Sequence, residues 1–112
     1  MSNPNNQMAV NFDTLRTIAF GSISGTYAAV GTAFGFPVRL ICITNSTDGD
    51  MLFSVDGINN CLFIAAGSFK LFDIGTNKVS SAPMWSIAAG TQFYVKQSSA
   101  PTKGAVYIEC LY

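Results

Sequence analysis

Apolar residues in this chain come in short runs, and from Thr14 onward Gly, Pro, Asn, Asp or Ser interrupts them about every 8–12 residues, the spacing of strands in a sandwich or barrel. No stretch carries the 3.6-residue apolar repeat of a long amphipathic helix. The pattern predicts strands near Leu15–Ser22, Thr26–Gly31, Val38–Thr44, Met51–Val55, Cys61–Ile64, Phe69–Asp73, Met84–Ile87, Gln92–Gln97 and Ala105–Leu111. In Val38–Thr44, Val38, Leu40 and Cys42 fall on one face and Arg39, Ile41 and Ile43 on the other. Both faces are mostly apolar, so this strand is expected in the middle of a sheet, covered twice. The last run sets Val106, Ile108 and Cys110 against Tyr107, Glu109 and Leu111.

The breaks between runs have identifiable turn chemistry. Asn45-Ser-Thr-Asp48-Gly49 and Asp56-Gly57 supply residues that tolerate positive φ, and each is expected to close a hairpin. Ile64-Ala-Ala-Gly-Ser before Phe69 and Ile87-Ala-Ala-Gly-Thr before Gln92 echo one another. Two copies are too few for a repeat array, so they are read as one turn type used twice. Residues 1–13 are polar and Asn-rich with Pro4, and lack regular alternation until Met8–Phe12. The chain therefore divides into an extended N-terminal arm, 1–13, and a β domain, 14–112. Met8, Val10 and Phe12 alternate with Ala9 and Asn11, which suits a strand added to an open sheet edge.

Composition changes this picture in one respect. With 112 residues and 49% hydrophobic residues the chain has enough apolar material for one core, yet its charged residues amount to 11% against about 25% in an ordinary soluble domain. Six basic and six acidic groups spread over a surface of roughly 6,000 Å² leave about one charge per 500 Å². With a net charge of zero, such a surface favours association, and much of it is expected to lie against neighbouring chains. The same balance removes the long-range attraction behind nucleic-acid or anionic-membrane binding, so neither partner is expected. No apolar stretch reaches the length of a membrane span, and the first ten residues have no signal-peptide pattern.

Candidate chemistry is sparse. Histidine is absent, which removes the usual general base and the commonest metal ligand, and no Ser-x-x-Lys arrangement replaces it. No catalytic residue, cofactor, metal or small-molecule substrate is expected. Asp48-Gly-Asp50 opens like a calcium loop but continues into Leu52 and Phe53 where further oxygen ligands are needed, so it reads as a solvated turn. Asn45-Ser-Thr is formally a glycosylation acceptor, and Gly25, Gly31 and Gly35 lack the Lys-Ser/Thr of a phosphate loop. Cys42, Cys61 and Cys110 are odd in number and widely spaced, and are expected as small buried hydrophobes rather than disulfide partners. Trp85, Tyr94, Tyr107 and Tyr112 suit a subunit interface or, in a rival reading, a lectin-like face for a bacterial surface glycan.

From Tyr27 to Tyr112 the order of signals resembles small β-sandwich virion proteins of tailed bacteriophages. The stretches that carry the resemblance are Pro37-Val-Arg39, Asn45-Ser-Thr-Asp48, Phe53-Ser-Val-Asp56-Gly57, Ala66-Gly-Ser68, Asp73-Ile74, Asn77-Lys78, Gly90-Thr91, Tyr94-Val-Lys96, Pro101-Thr102 and Gly104-Ala-Val-Tyr107. Residues 1–26 are not covered. The resemblance implies an all-β antiparallel β-sandwich, jelly-roll-like, acting without catalysis as a virion structural protein: a capsid decoration, a collar component or part of the head-tail connector. Its partners would be further copies of itself and other virion proteins, and its location the virion, assembled in the cytoplasm of a bacterial host. The residues expected at that interface are Met8, Val10, Phe12, Trp85 and Tyr112.

Overall fold

The computed structural model describes residues 11–74 and 86–112. They form strands β1 (Arg16–Ala19), β2 (Ala28–Ala29), β3 (Leu40–Asn45), β4 (Met51–Ser54), β5 (Leu62–Ile64), β6 (Phe69–Asp73), β7 (Tyr94–Gln97) and β8 (Ala105–Leu111), with a single 3₁₀ turn at Phe20–Ser22. The strands make two antiparallel four-stranded sheets, ordered β1-β8-β3-β6 and β2-β7-β4-β5. Every strand of the first half pairs with its counterpart in the second: β1 with β8, β2 with β7, β3 with β6, β4 with β5. The chain is thus a long hairpin folded back on itself and curled, so that alternate rungs fall in opposite sheets.

The fold follows from period-two burial. In β3, Ile41, Ile43 and Asn45 are buried while Leu40, Cys42 and Thr44 are half-buried, and in β8 Val106, Ile108 and Cys110 point inward. They meet Met51, Phe53, Ile64 and Val95 from the second sheet, and Val30, Phe34, Val38 and Phe93 close the ends. Each such side chain contributes about 1.5–3 kcal/mol on burial. β3 does lie inside its sheet, between β8 and β6. Its second face, expected to be covered as fully as the first, is half-buried instead, because the opposite sheet covers one side alone. Of the predicted Met84–Ile87 strand, Met84 and Trp85 lie outside the described residues, and Ile87 makes an isolated bridge with Val38.

The connection from β3 to β4 corrects the hairpin expected at Asn45–Gly49. It carries the chain from one sheet to the other, and none of its residues has positive φ. Asn45 builds the arch: its buried amide donates to the carbonyls of Gly49 (2.9 Å), Ile64 (3.0 Å) and Ala65 (3.3 Å), and its oxygen accepts from the Thr47 amide (3.0 Å) and hydroxyl (2.6 Å). Wholly buried, the side chain joins both sheets and is closed to glycosylation in the folded domain. The Asp56-Gly57 turn does close a hairpin, between β4 and β5. The two echoed segments do share one turn. Ser68 N–H donates to the Ala65 carbonyl (3.0 Å) and Thr91 N–H to that of Ala88 (3.2 Å), with Gly67 and Gly90 at φ 71° and 90°, the type II arrangement that needs glycine at its third position.

A second tie spans the arch. The Asp48 carboxylate accepts from the amides of Thr102 (2.7 Å) and Lys103 (3.3 Å) and from the Thr102 hydroxyl, and these bonds pull its pKa down to about 2. Asp56, held by the Ser54 hydroxyl and by the amides of Asn59 and Ile58, is lowered as well. Carboxyls whose folded pKa lies below the unfolded value stabilise the fold above the unfolded pKa and lose that contribution as pH falls through the folded one. Stability to urea is therefore expected to be flat from pH 7 to about 5 and to decline between about pH 4 and 2. Asp48→Asn should reduce part of that decline; an unchanged slope would show that the tie does not titrate with folding.

Candidate functional site

The outward face of the first sheet departs from the polar exterior of an ordinary sandwich. Residues opposite one another in an antiparallel ladder point to the same side, so the register defines three rows. Phe69, Thr44, Tyr107 and Thr17 form one; Leu71, Cys42 and Glu109 the next; Asp73, Leu40, Leu111 and Phe12 the third. Phe12 is 86% exposed, Phe69 63% and Leu71 56%, while Leu40, Cys42, Tyr107 and Leu111 are half-buried. Two carboxylates, Asp73 and Glu109, are the acidic members of these rows. Contiguous exposed apolar area of this kind marks an interaction surface.

The N-terminal end of this sheet is fixed by a bulge. Asn11 and Tyr112 exchange both backbone hydrogen bonds at 3.0 Å, Asp13 N–H donates to the Cys110 carbonyl (3.0 Å), and Phe12 bridges to Leu111. Four residues later the register is Arg16 opposite Ile108, so Asp13, Thr14 and Leu15 face Glu109 and Cys110 alone. The extra residue bends the strand, as bulges do, and directs Arg16 inward. Its guanidinium donates to the Asp13 carboxylate (3.0 Å) and to the carbonyls of Thr14 (3.0 Å), Thr32 (2.6 Å) and Ala33 (3.2 Å) and lies 4.8 Å from the centroid of the Phe34 ring.

Of the predicted interface residues, Phe12 lies on the apolar face. Tyr112 is half-buried and stacked on Phe36, with ring centroids 4.0 Å apart and planes at 4°. Met8, Val10 and Trp85 lie outside the described residues. The tyrosines of the glycan reading do not gather at one place. Tyr107 is on the first sheet and Tyr94 on the second. The second sheet's outward side instead holds Tyr27, whose ring is covered by the Lys96 ammonium 4.8 Å from its centroid and whose hydroxyl donates to Asn60 Oδ1 (2.5 Å).

The carboxylates do not converge either. Asp48 turns to Thr102, while Asp50 Oδ1 accepts from the Ala66 amide (3.0 Å). Among the described residues no three His, Cys, Asp or Glu side chains group as a metal site would require. The cysteines are all unpaired, but only Cys110 is fully buried; Cys42 is half-buried and Cys61 exposed, just before β5. Cys61 thus corrects the expectation of three buried thiols: it sits in the hairpin end rather than inside a strand. Burial pushes the Cys110 thiol up to about 11. Thiol labelling of the native protein is expected to modify Cys61 at a free-thiol rate and Cys110 only after unfolding, since the thiolate is the reacting form; fast labelling of Cys110 would contradict its burial.

Phe69 and Leu71 were not among the predicted interface residues. Comparison with known proteins places no relative beside this chain: no family model, curated protein or solved structure matches it.

Proposed function

We propose that this chain is a non-enzymatic structural protein of a tailed-bacteriophage virion that assembles as an oligomer on the capsid, collar or head-to-tail connector. The observation that carries the self-association is the outward face of the first sheet, where Phe12, Phe69 and Leu71 stand exposed beside Leu40, Cys42 and Leu111 in a chain that has 11% charged residues and no net charge. Leaving such a face in water has a cost of about 25 cal/mol per Å² of apolar area, which association removes. The resemblance of the segments from Tyr27 to Tyr112 supplies the virion setting.

A finer reading of the fold agrees with this. Sheets ordered 1-8-3-6 and 2-7-4-5, with counterpart strands paired from the two chain halves, match a long hairpin rolled into two Greek keys. We read the domain as a jelly roll, an architecture used by capsid and lectin domains alike. The arrangement of the tyrosines favours the first of those uses.

Sedimentation velocity tests the reading. The full-length protein is expected to sediment as an oligomer, and Leu71→Asp, which sets a carboxylate in the exposed face without entering the core, should shift it to smaller species while circular dichroism stays unchanged. Mass spectrometry of purified particles should find the chain. A wild-type protein that stays a monomer up to millimolar concentration and is missing from particles would overturn the proposal.

A further inference from the structure

The two edges of the first sheet are different in kind, and the difference points to a partner. β6 is one edge among the described residues. Asn45 N–H donates to the Ser68 carbonyl and Ile74 N–H to that of Arg39, so by the alternation of an antiparallel ladder residues 68, 70, 72 and 74 bond to β3. The backbone groups of Phe69 and Leu71 then point away from the sheet, and no described residue bonds to them. At the opposite edge, residues 1–10 enter the domain at Asn11, which is locked to Tyr112. Met8 and Val10 carry the alternation of a strand beside Ala9.

We propose that Met8–Val10 of one copy adds as a strand to the β6 edge of a second copy, antiparallel, with Met8 opposite Leu71 and Val10 opposite Phe69. This rests on the self-association reading above and names its contact. The register matches apolar with apolar on the exposed face and sets Ala9 opposite Lys70 and Asn6 opposite Asp73. A chain cannot satisfy its own β6 in this way. With strands about 4.8 Å apart, the position beyond β6 is four strand spacings from the β1 edge, and Leu71 is three residues below the level of Asn11. The separation is about 20 Å, whereas the three residues from Asn11 to Met8 span at most about 11 Å. Strand direction fits as well. β1 runs opposite to β8, β8 to β3 and β3 to β6, so the N-terminal strand of one copy is antiparallel to β6 of a second copy in the same orientation. Donor and acceptor edges lie on opposite sides of the sheet, so the contact is head-to-tail and makes a ring where its rotation closes and a filament where it does not.

Ala9 and Lys70 would form a non-hydrogen-bonded pair, the closest kind, with Cα atoms about 4.5 Å apart and within disulfide reach. Ala9→Cys and Lys70→Cys are made separately in full-length protein carrying Cys61→Ser, mixed and oxidised. A covalent dimer is expected from the mixture and from neither variant alone. In parallel, Val10→Asp, which alters no described residue, should lower the sedimentation coefficient. An oligomer that persists with Val10→Asp and yields no cross-link from the mixture would overturn this contact while leaving self-association standing. A wild-type monomer would remove both.

Discussion

Gly104→Ala is expected to leave the domain unfolded or nearly so at ordinary temperature, the largest effect of any single methyl group in this chain. Gly104 precedes β8 with φ 93°, in the half of the backbone map that side chains avoid. A Cβ there would stand 2.1 Å from the Ser46 carbonyl oxygen and 2.9 Å from Thr47 Cα. Both are backbone atoms of the Asn45 arch and have no rotamer through which to retreat. Moving the arch would break the Ser46 amide bond to the Ala105 carbonyl (2.9 Å), the Asp48 tie and the five hydrogen bonds of Asn45 described above. Backbone strain of about 1–3 kcal/mol then adds to the loss of buried polar partners at about 1–3 kcal/mol each, which approaches the whole stability of about 5–15 kcal/mol expected of a domain this size. Circular dichroism and urea unfolding of the purified variant provide the measurement. A loss below about 1 kcal/mol would mean that the arch stands farther from Gly104 than the structure places it.

Asn45→Asp should be worse than Asn45→Ala for a related reason. Alanine abandons three carbonyls, whereas aspartate points an anion at the carbonyls of Gly49, Ile64 and Ala65, and a buried charge facing acceptors is costlier than a missing donor.

The all-β class, seven of the strands to within two residues at each end, and the repeated Ala-Ala-Gly turn were legible in the sequence because each depends on local signals: alternation, punctuation and a glycine at a fixed turn position. Phe69–Asp73 and Ala105–Leu111 coincide with β6 and β8. What depended on the partner strand was not legible. The Asn45 turn has hairpin chemistry, but whether its strands pair or part is decided by Ile64 and Ala65, some twenty residues away, whose carbonyls receive the Asn45 amide. Nor does alternation tell which side of Phe69-Lys-Leu-Phe-Asp faces inward. It favours Phe69 and Leu71 for the core, yet the register with β3 turns them out and sets Lys70 and Phe72 beside Ile43 and Ile41, the inward residues of β3. The candidate face was therefore hidden in a register, while the arm residue Phe12 could be found from its alternation. Cys61 was missed through its parity: it falls on the side of exposed Phe63, while Leu62 and Ile64 turn to the core.

Arg16→Met is expected to destabilise the domain by about 3–5 kcal/mol at pH 7, the usual cost of removing one partner from a buried ion pair. Methionine fills most of the volume, so the loss isolates the guanidinium. Four acceptors lose their donor at once: the Asp13 carboxylate and the carbonyls of Thr14, Thr32 and Ala33. The same group ties the bulged N-terminal strand to the loop before Phe34, so the variant should also free Asn11–Asp13 from β8 to hydrogen exchange. pH separates the ion pair from simple packing. Burial alone would raise the Asp13 pKa, but the Thr14 amide and the Arg16 guanidinium outweigh it and hold the carboxyl below its usual value, so in the parent Asp13 adds stability above about pH 4 that is lost as pH falls. In Arg16→Met, burial without the cation should move the folded pKa upward, and protonation at low pH then relieves the strain instead of causing it. The gap in urea midpoint between parent and variant should accordingly be widest at pH 7 and narrow toward pH 3. Asp13→Asn should behave in the same sense, and the double variant should lose less than the two single losses combined, by about 0.5–3 kcal/mol. A gap that is equal at both pH values, with additive losses, would assign the role of Arg16 to packing against Phe34 rather than to its charge.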